Sequence, residues 1–280
     1  MVTIDAQVHA YERDHAGRPW HAVLHGPDEV TGNEMVAAMD AVGVDAAILV
    51  SPWTMYQYDA SYAQDVYAAH PGRFALIKPV NTIDPAVAET IADWAKVDGA
   101  IGIRIMMVGD VSEDPADPGI TRILASAAKH NLPVNLLCWG RIEQGIAVAA
   151  RNPNTRIVID HLGLKQPFEP PVPDEPFADL SNVLKLAELD NVVIKITGTC
   201  TLSKDAFPHR DIREPVGRIV DAFGLERCLW GTDWTRAVGL ITYEQGVEAF
   251  RQADWFSESD RAALMGGNLQ RVYDWTPAGA

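Results

Sequence analysis

Cysteine is scarce, with three residues at 138, 200 and 228 of a 280-residue chain. The number is odd and no two form a C-x-x-C pair, which argues against a disulfide framework and favours a reducing cytoplasm. Basic charge is also in short supply: 23 Lys and Arg stand against 38 Asp and Glu, a net charge of -15. Such a chain repels phosphate, which excludes nucleic acid as a partner. Solubility alone explains an acidic surface, so the charge leaves the substrate open. No run of 18 apolar residues is present, which excludes a helical membrane span. The N-terminus has neither a basic region nor an apolar stretch behind it, so no secretory signal is expected. Sequence repeats, low-complexity segments and linkers are missing too, which points to one domain over residues 1–280.

What is present is an alternation. Hydrophobic residues make up 48% of the chain, enough for a large core. Strand-like apolar runs occupy residues 2–9, 44–50, 73–80, 100–106, 133–138, 156–160, 191–197 and 227–230. Between them, helical spacing marks residues 33–42, 87–94, 120–129, 142–150, 215–223 and 243–251. Gly43 is a natural residue just past a helix end, and Asp84-Pro85 reads as an N-cap followed by proline in the first turn. Eight strands alternating with helices predict an α/β fold, a single-domain (β/α)8 TIM barrel of the usual size of about 250 residues.

Active sites of such barrels lie where strands end and βα-loops begin. Several polar residues fall there. Period-two alternation puts Asp5, Gln7 and His9 on one face of the first strand, with His9 at its end. Arg104 lies within strand four, His161 follows strand six, Lys195 lies within strand seven and Asp233 follows strand eight. The proline-rich stretch 166–176 reads as a stiff loop on the same face. Aromatic residues also concentrate in these loops: Trp53, Tyr56 and Tyr58 after strand two, Trp139 after strand five and Trp234 after strand eight. That grouping suggests a flat, unsaturated substrate ring.

Asp5-x-Gln7-x-His9, Asp160-His161-Leu-Gly163 and Gly231-Thr-Asp233-Trp together resemble the amidohydrolase superfamily, and most closely its amidohydrolase-2 branch. Gly99-Ala-Ile-Gly-Ile-Arg104 and Val192-Val-Ile-Lys-Ile-Thr-Gly198 resemble strands four and seven of that branch, and the likeness runs from Ile4 to Trp275. The branch holds lactonases that include metal-free hydrolases, and decarboxylases of aromatic or enoic acids. Metal-using members carry His-x-His at the end of strand one and a ligand His on strand five. This chain has Gln7 at the first position and only Leu136, Leu137 and Cys138 at the second. Gln is a weak neutral ligand, so the resemblance implies a site without a metal; a single zinc or manganese held by His9, His161 and Asp233 is the alternative.

The resemblance implies a small-molecule substrate and a catalytic set of Asp233, His9 and His161. Asp233, among apolar neighbours, is expected to have a raised pKa suited to deprotonating water. His9 and His161 are expected to donate to the carbonyl or relay a proton to the leaving alkoxide. Arg104 inside an apolar strand needs a partner, either a substrate carboxylate or an internal carboxylate. Gln7, Lys195, Trp53, Tyr56, Trp139 and Trp234 complete the expected binding surface. The leading expectation is hydrolysis of a small anionic lactone or similarly activated ester. A metal-dependent decarboxylase and a non-catalytic binding barrel are the two other readings, and a homo-oligomer is left open.

Overall fold

The computed structural model describes residues 2–23, 25–109 and 111–278; Met1, Leu24, Asp110, Gly279 and Ala280, at positions included in the 1–280 domain reading, lie outside them. Eight parallel strands follow one another around a nearly closed barrel in chain order. They are β1 (Ile4–Val8), β2 (Ala46–Val50), β3 (Phe74–Pro79), β4 (Ala100–Met106), β5 (Val134–Leu137), β6 (Ile157–Ile159), β7 (Val192–Thr197) and β8 (Cys228–Gly231). Each lies within two residues of an expected run. Strands buried on both faces read as continuous Val, Ile and Leu stretches, which makes them easy to recognise.

The expected helices are present as α1 (Gly32–Ala41), α4 (Val87–Trp94), α5 (Pro118–Lys129), α6 (Ile142–Arg151), α8 (Arg213–Phe223) and α9 (Tyr243–Arg251). Unanticipated are the short α2 (Trp53–Tyr56), α3 (Ser61–Ala69), α7 (Leu180–Lys185), α10 (Glu258–Ala262) and α11 (Asn268–Tyr273). Gly43 does sit just past α1, with φ +65°. Asp84 does not cap α4. Its carboxylate accepts from Ala86 N at 2.9 Å in a turn one step earlier, and Ala86 occupies the cap. The Asp-Pro cap belongs to α5 instead, where Asp117 accepts from the amides of Gly119 and Ile120 ahead of a first-turn Pro118.

Alternation in the strands separates two apolar layers. Val8, Leu49, Leu76, Ile105, Leu136 and Ile194 pack outward against the helices, whereas Ile4, Ala6, Ile48, Ile77, Val158 and Leu229 fill the barrel interior. Leu269, Val272 and Tyr273 of α11 join that interior layer and plug the N-terminal end. The change of side between Ala6 and Val8 breaks strict alternation in β1. Asp5 pairs with Ala47 but Val8 pairs with Leu49, so one extra residue is accommodated.

That bulge corrects the expectation that Asp5, Gln7 and His9 share a face. Asp5 leaves the row and accepts from the backbone and hydroxyl of Thr232, while Gln7 and His9 remain with the chemistry. Asp5 thereby helps close the barrel between β8 and β1, together with Asp233 N donating to Gln7 O at 3.0 Å. Gly231 is needed at this junction, because a Cβ there would lie 2.8 Å from the Asp5 carboxylate and 2.6 Å from Thr197 Cγ2.

Candidate active site

Ion pairing inside the barrel starts at Asp160, directly after β6. Arg104 Nε donates to its Oδ2 at 2.7 Å, Lys195 Nζ lies 3.1 Å from Oδ1, and Asn135 Nδ2 donates to Oδ1 at 3.3 Å. All four residues are buried. Burial alone would raise the Asp160 carboxyl, but Arg104 and Lys195 outweigh it and hold it down at about 2. Tyr273 of the terminal helix donates to Asn135 Oδ1 at 2.7 Å, so the plug at the base also braces this cluster.

Lys195 also settles a tautomer. Its ammonium donates to Gln7 Oε1 at 3.1 Å, which leaves the Gln7 amide NH2 facing His161 Nε2 at 3.2 Å. Arg104 Nη2 approaches the same nitrogen at 3.3 Å. Both neighbours can only donate, so His161 Nε2 carries a lone pair and its proton sits on Nδ1, 3.0 Å from Thr197 Oγ1. Burial pushes the imidazole down to about 3, against the pull of Asp233 and Asp160. His161 is thus neutral and accepting through Nε2. The expected donor role toward a carbonyl does not fit this arrangement.

His9 is arranged the other way. Its Nδ1 donates to Val50 O at 2.7 Å, leaving Nε2 to face Asp233 Oδ1 at 3.2 Å. That contact is poorly aligned, and the buried Oδ1 has no hydrogen-bond partner of good geometry. Oδ2 is held by the guanidinium of Arg236, three residues on. Asp233 itself sits in the left-handed region with φ +51°, as does His161 with φ +53°; such backbone is uncommon and tends to mark sites. Asp233 is completely buried, which alone would raise its carboxyl. Arg236, whose guanidinium pairs with Oδ2, outweighs burial and holds it well below the ordinary range. The expectation of a raised pKa is therefore corrected: the carboxylate is fully ionised, because a cation three residues away pairs with it.

Arg236 is the main residue that the sequence reading missed. Besides Asp233 it binds Gln166 Oε1 and donates to Pro167 O at 3.0 Å, and its guanidinium lies over the rings of Trp139 and Phe168 at 5.7 and 5.2 Å. The signal was present as an Asp and an Arg three apart after strand eight, but only a turn brings them together. It fastens the proline-rich loop after β6 to the loop after β8.

Above these groups opens a cavity of about 190 Å³ walled by His9, Arg104, His161, Asp233 and Arg236, with Trp53, Trp139 and Phe168 among its aromatic sides. Pro52, Thr54, Met106, Val108 and Leu137 complete it. His9, Arg104, His161 and Asp233 thus converge at the C-terminal rim. Of the other expected binding residues, Trp53 and Trp139 line the cavity, whereas Gln7 and Lys195 lie beneath its floor as braces. Tyr56 bonds the Glu12 backbone and Trp234 stacks on Tyr243 at 5.1 Å, so neither reaches the wall. Arg104 meets the internal-carboxylate reading: Nε is tied to Asp160 and Nη2 to His161, and Nη1 has no hydrogen-bond partner among the described residues.

A divalent cation does not fit this donor set. Asp233 Oδ2 already faces a guanidinium, His161 Nε2 faces an amide and a second guanidinium, and Gln7 Oε1 faces an ammonium. Among the described residues no group of three or more His, Cys, Asp or Glu is disposed to hold a metal ion.

The amidohydrolase model of the second family branch matches residues 4–275. An L-fucono-1,5-lactonase from Burkholderia ambifaria is 30% identical over 233 residues, covering 78% of this chain and 76% of that protein. A 4-sulfomuconolactone hydrolase from Rhizobium radiobacter is 24% identical over 210 residues, covering 74% and 67% respectively. The crystal structure of an amidohydrolase from Burkholderia multivorans with bound zinc superposes with a TM-score of 0.78 at 22% identity, covering 98% of this chain and 99% of that one.

Proposed function

This chain belongs to the amidohydrolase family, and from that premise we propose that it hydrolyses a small anionic lactone, or a similarly activated ester, by water attack and without a tightly bound metal. The lactonase names of its relatives support the reaction class. The observation that carries the mechanism is the buried, unpartnered Oδ1 of Asp233 beside His9 Nε2 at the cavity wall. A water there donates one hydrogen to Oδ1 and points an oxygen lone pair at a lactone carbonyl. As the O–C bond forms, Asp233 accepts the proton and passes it to His9 Nε2, 3.2 Å away. The carbonyl π-electrons move to oxygen, where the fields of Arg104 and Arg236 offset the charge. Collapse breaks the ring C–O bond, and the proton held by His9 goes to the leaving alkoxide. His161 keeps Arg104 and Asp233 spaced.

Without a metal the water's pKa is not lowered toward 7, so the carbonyl must be an activated one. A panel of lactones, enol esters and aromatic acids, followed by proton release and by carbon dioxide release, tests this on purified protein before and after exhaustive chelation. Proton release that survives chelation is expected. Carbon dioxide from an aromatic or enoic acid, or near-stoichiometric zinc or manganese whose removal abolishes activity, sinks the proposal in favour of the metal-dependent decarboxylase. A melting shift without turnover leaves the binding barrel.

Arg104 Nη1 is proposed to receive the substrate's anionic group. A charge-assisted hydrogen bond of about 1.5–3 kcal/mol is at stake. Arg104→Gln should therefore raise KM roughly 10- to 100-fold for an acidic lactone, with a smaller change in kcat. Equal KM for wild type and variant assigns the guanidinium solely to its pairing with Asp160.

A further inference from the structure

The connection from β7 to α8, residues 198–212, is long for a βα-loop, where about two to six residues are usual, and none of it borders the cavity at the barrel mouth. Its last part turns at His209, where φ is +59° and Nδ1 lies 3.1 Å from Asp205 O. Left-handed backbone at such a side chain is costly and persists only where the surroundings hold it. The turn sets Pro208, Arg210 and Ile212 against Ala253 and Trp255, which follow α9, and a separate cavity of about 250 Å³ opens between the two segments. It shares no lining residue with the barrel mouth.

Two guanidinium groups border this second cavity and lack a close countercharge. Arg210 makes no ion pair or side-chain hydrogen bond among the described residues, and Arg213 has only a 4.0 Å approach to Asp254, with both of those side chains largely exposed. Neighbouring carboxylates are committed elsewhere: Asp211 accepts from Ser203 Oγ and Lys204 N, and Glu214 lies 3.6 Å from Arg218. Like charges three residues apart on a helical turn repel, and an anion between them removes that penalty. Apolar surface accompanies the pair. Ile212 is buried, and the Trp255 indole rests on Phe256 with ring centroids 4.2 Å apart. A guanidinium receives a carboxylate through two parallel hydrogen bonds, and a cavity of about 250 Å³ admits a one-ring ligand rather than a larger one. We propose that this cavity is a second binding site, for a compact aromatic carboxylate whose anionic group is received by Arg210 and Arg213 and whose ring lies against Trp255 and Ile212. The site takes no part in the hydrolysis proposed above and stands or falls independently of it.

Benzoate, benzamide, acetate and inorganic phosphate, titrated calorimetrically into the purified full chain, test the class of ligand. A crystal soaked with 4-bromobenzoate locates the ring by the anomalous scattering of bromine. Bromine beside Trp255 is expected, with benzoate bound about 10-fold or more tightly than each of the other three probes. Because Arg104 at the barrel mouth could also take a carboxylate, the titration is repeated on two variants. The double variant Arg210→Gln, Arg213→Gln alters exposed side chains and should keep the wild-type melting temperature. It is expected to raise the benzoate Kd about 10-fold or more, whereas Arg104→Gln leaves that Kd unchanged. Bromine found only in the barrel mouth, or in neither cavity, overturns the proposal. A Kd unaltered in the double variant overturns it as well. Phosphate or acetate bound as tightly as benzoate makes the pair a general anion patch and overturns the aromatic class, and benzamide bound as tightly removes the need for the charge.

Discussion

Asp233→Asn should lower the turnover of an activated lactone by roughly 10²-fold or more. Asparagine keeps the side-chain shape and tolerates the left-handed backbone found at this position, where φ is +51°. It removes the negative charge and the acceptor that takes the proton from water. It also strips Arg236 of its carboxylate, so the measurement pairs the rate with the melting temperature and with binding of an unreactive substrate analogue. A folded variant that binds the analogue but barely turns over supports the proposed role. Near wild-type turnover makes Asp233 a structural partner of Arg236 and requires another base. Asp233 is held far below the usual carboxylate range, principally by Arg236 acting against burial. Its protonation therefore cannot set an acid limb near neutral pH, and any such limb in the rate profile reports another group.

Asp160→Asn should destabilise the fold by about 3–5 kcal/mol, because it leaves Arg104 and Lys195 buried side by side without a countercharge. Unfolding by urea at neutral pH measures this directly. A loss below about 1 kcal/mol would mean that the two cations find other partners. The sign of the pH dependence follows from the lowered folded-state pKa of about 2 against the ordinary 3.8. The carboxylate's contribution is complete above about pH 4 and fades as pH falls through the folded value. The wild type should lose this stability between about pH 4 and 2, and the Asn variant should show no such component. Loss of the brace also frees Arg104, so any residual folded variant should bind an acidic lactone poorly.

Much of this molecule is written in local pattern. The eight strands and six of the helices could be read because buried parallel strands are continuous apolar runs and amphipathic helices repeat at three to four residues. The barrel then follows, and with it the shared rim of His9, Arg104, His161 and Asp233. Short helices such as α2 and α7 carry too few turns for a periodic signal. Trp53 and Trp139 could be placed at the mouth from their loops, but the same reasoning placed Tyr56 and Trp234 there, and a loop position does not say which way a ring points.

What the sequence alone determined is the architecture and the roster of polar residues at one end of it. The tertiary structure decided what each does. The extra residue in β1 sends Asp5 to Thr232, 227 positions away, and keeps Gln7 with the site. Lys195, 188 positions from Gln7, orients its amide and so fixes the His161 tautomer. Arg236, near Asp233 in sequence, inverts the expected pKa only because a turn folds its guanidinium onto the carboxylate inside a dry wall. Propensity and period are properties of neighbouring residues, whereas protonation depends on distances between charges in a low-dielectric interior, and those exist only once the chain has closed.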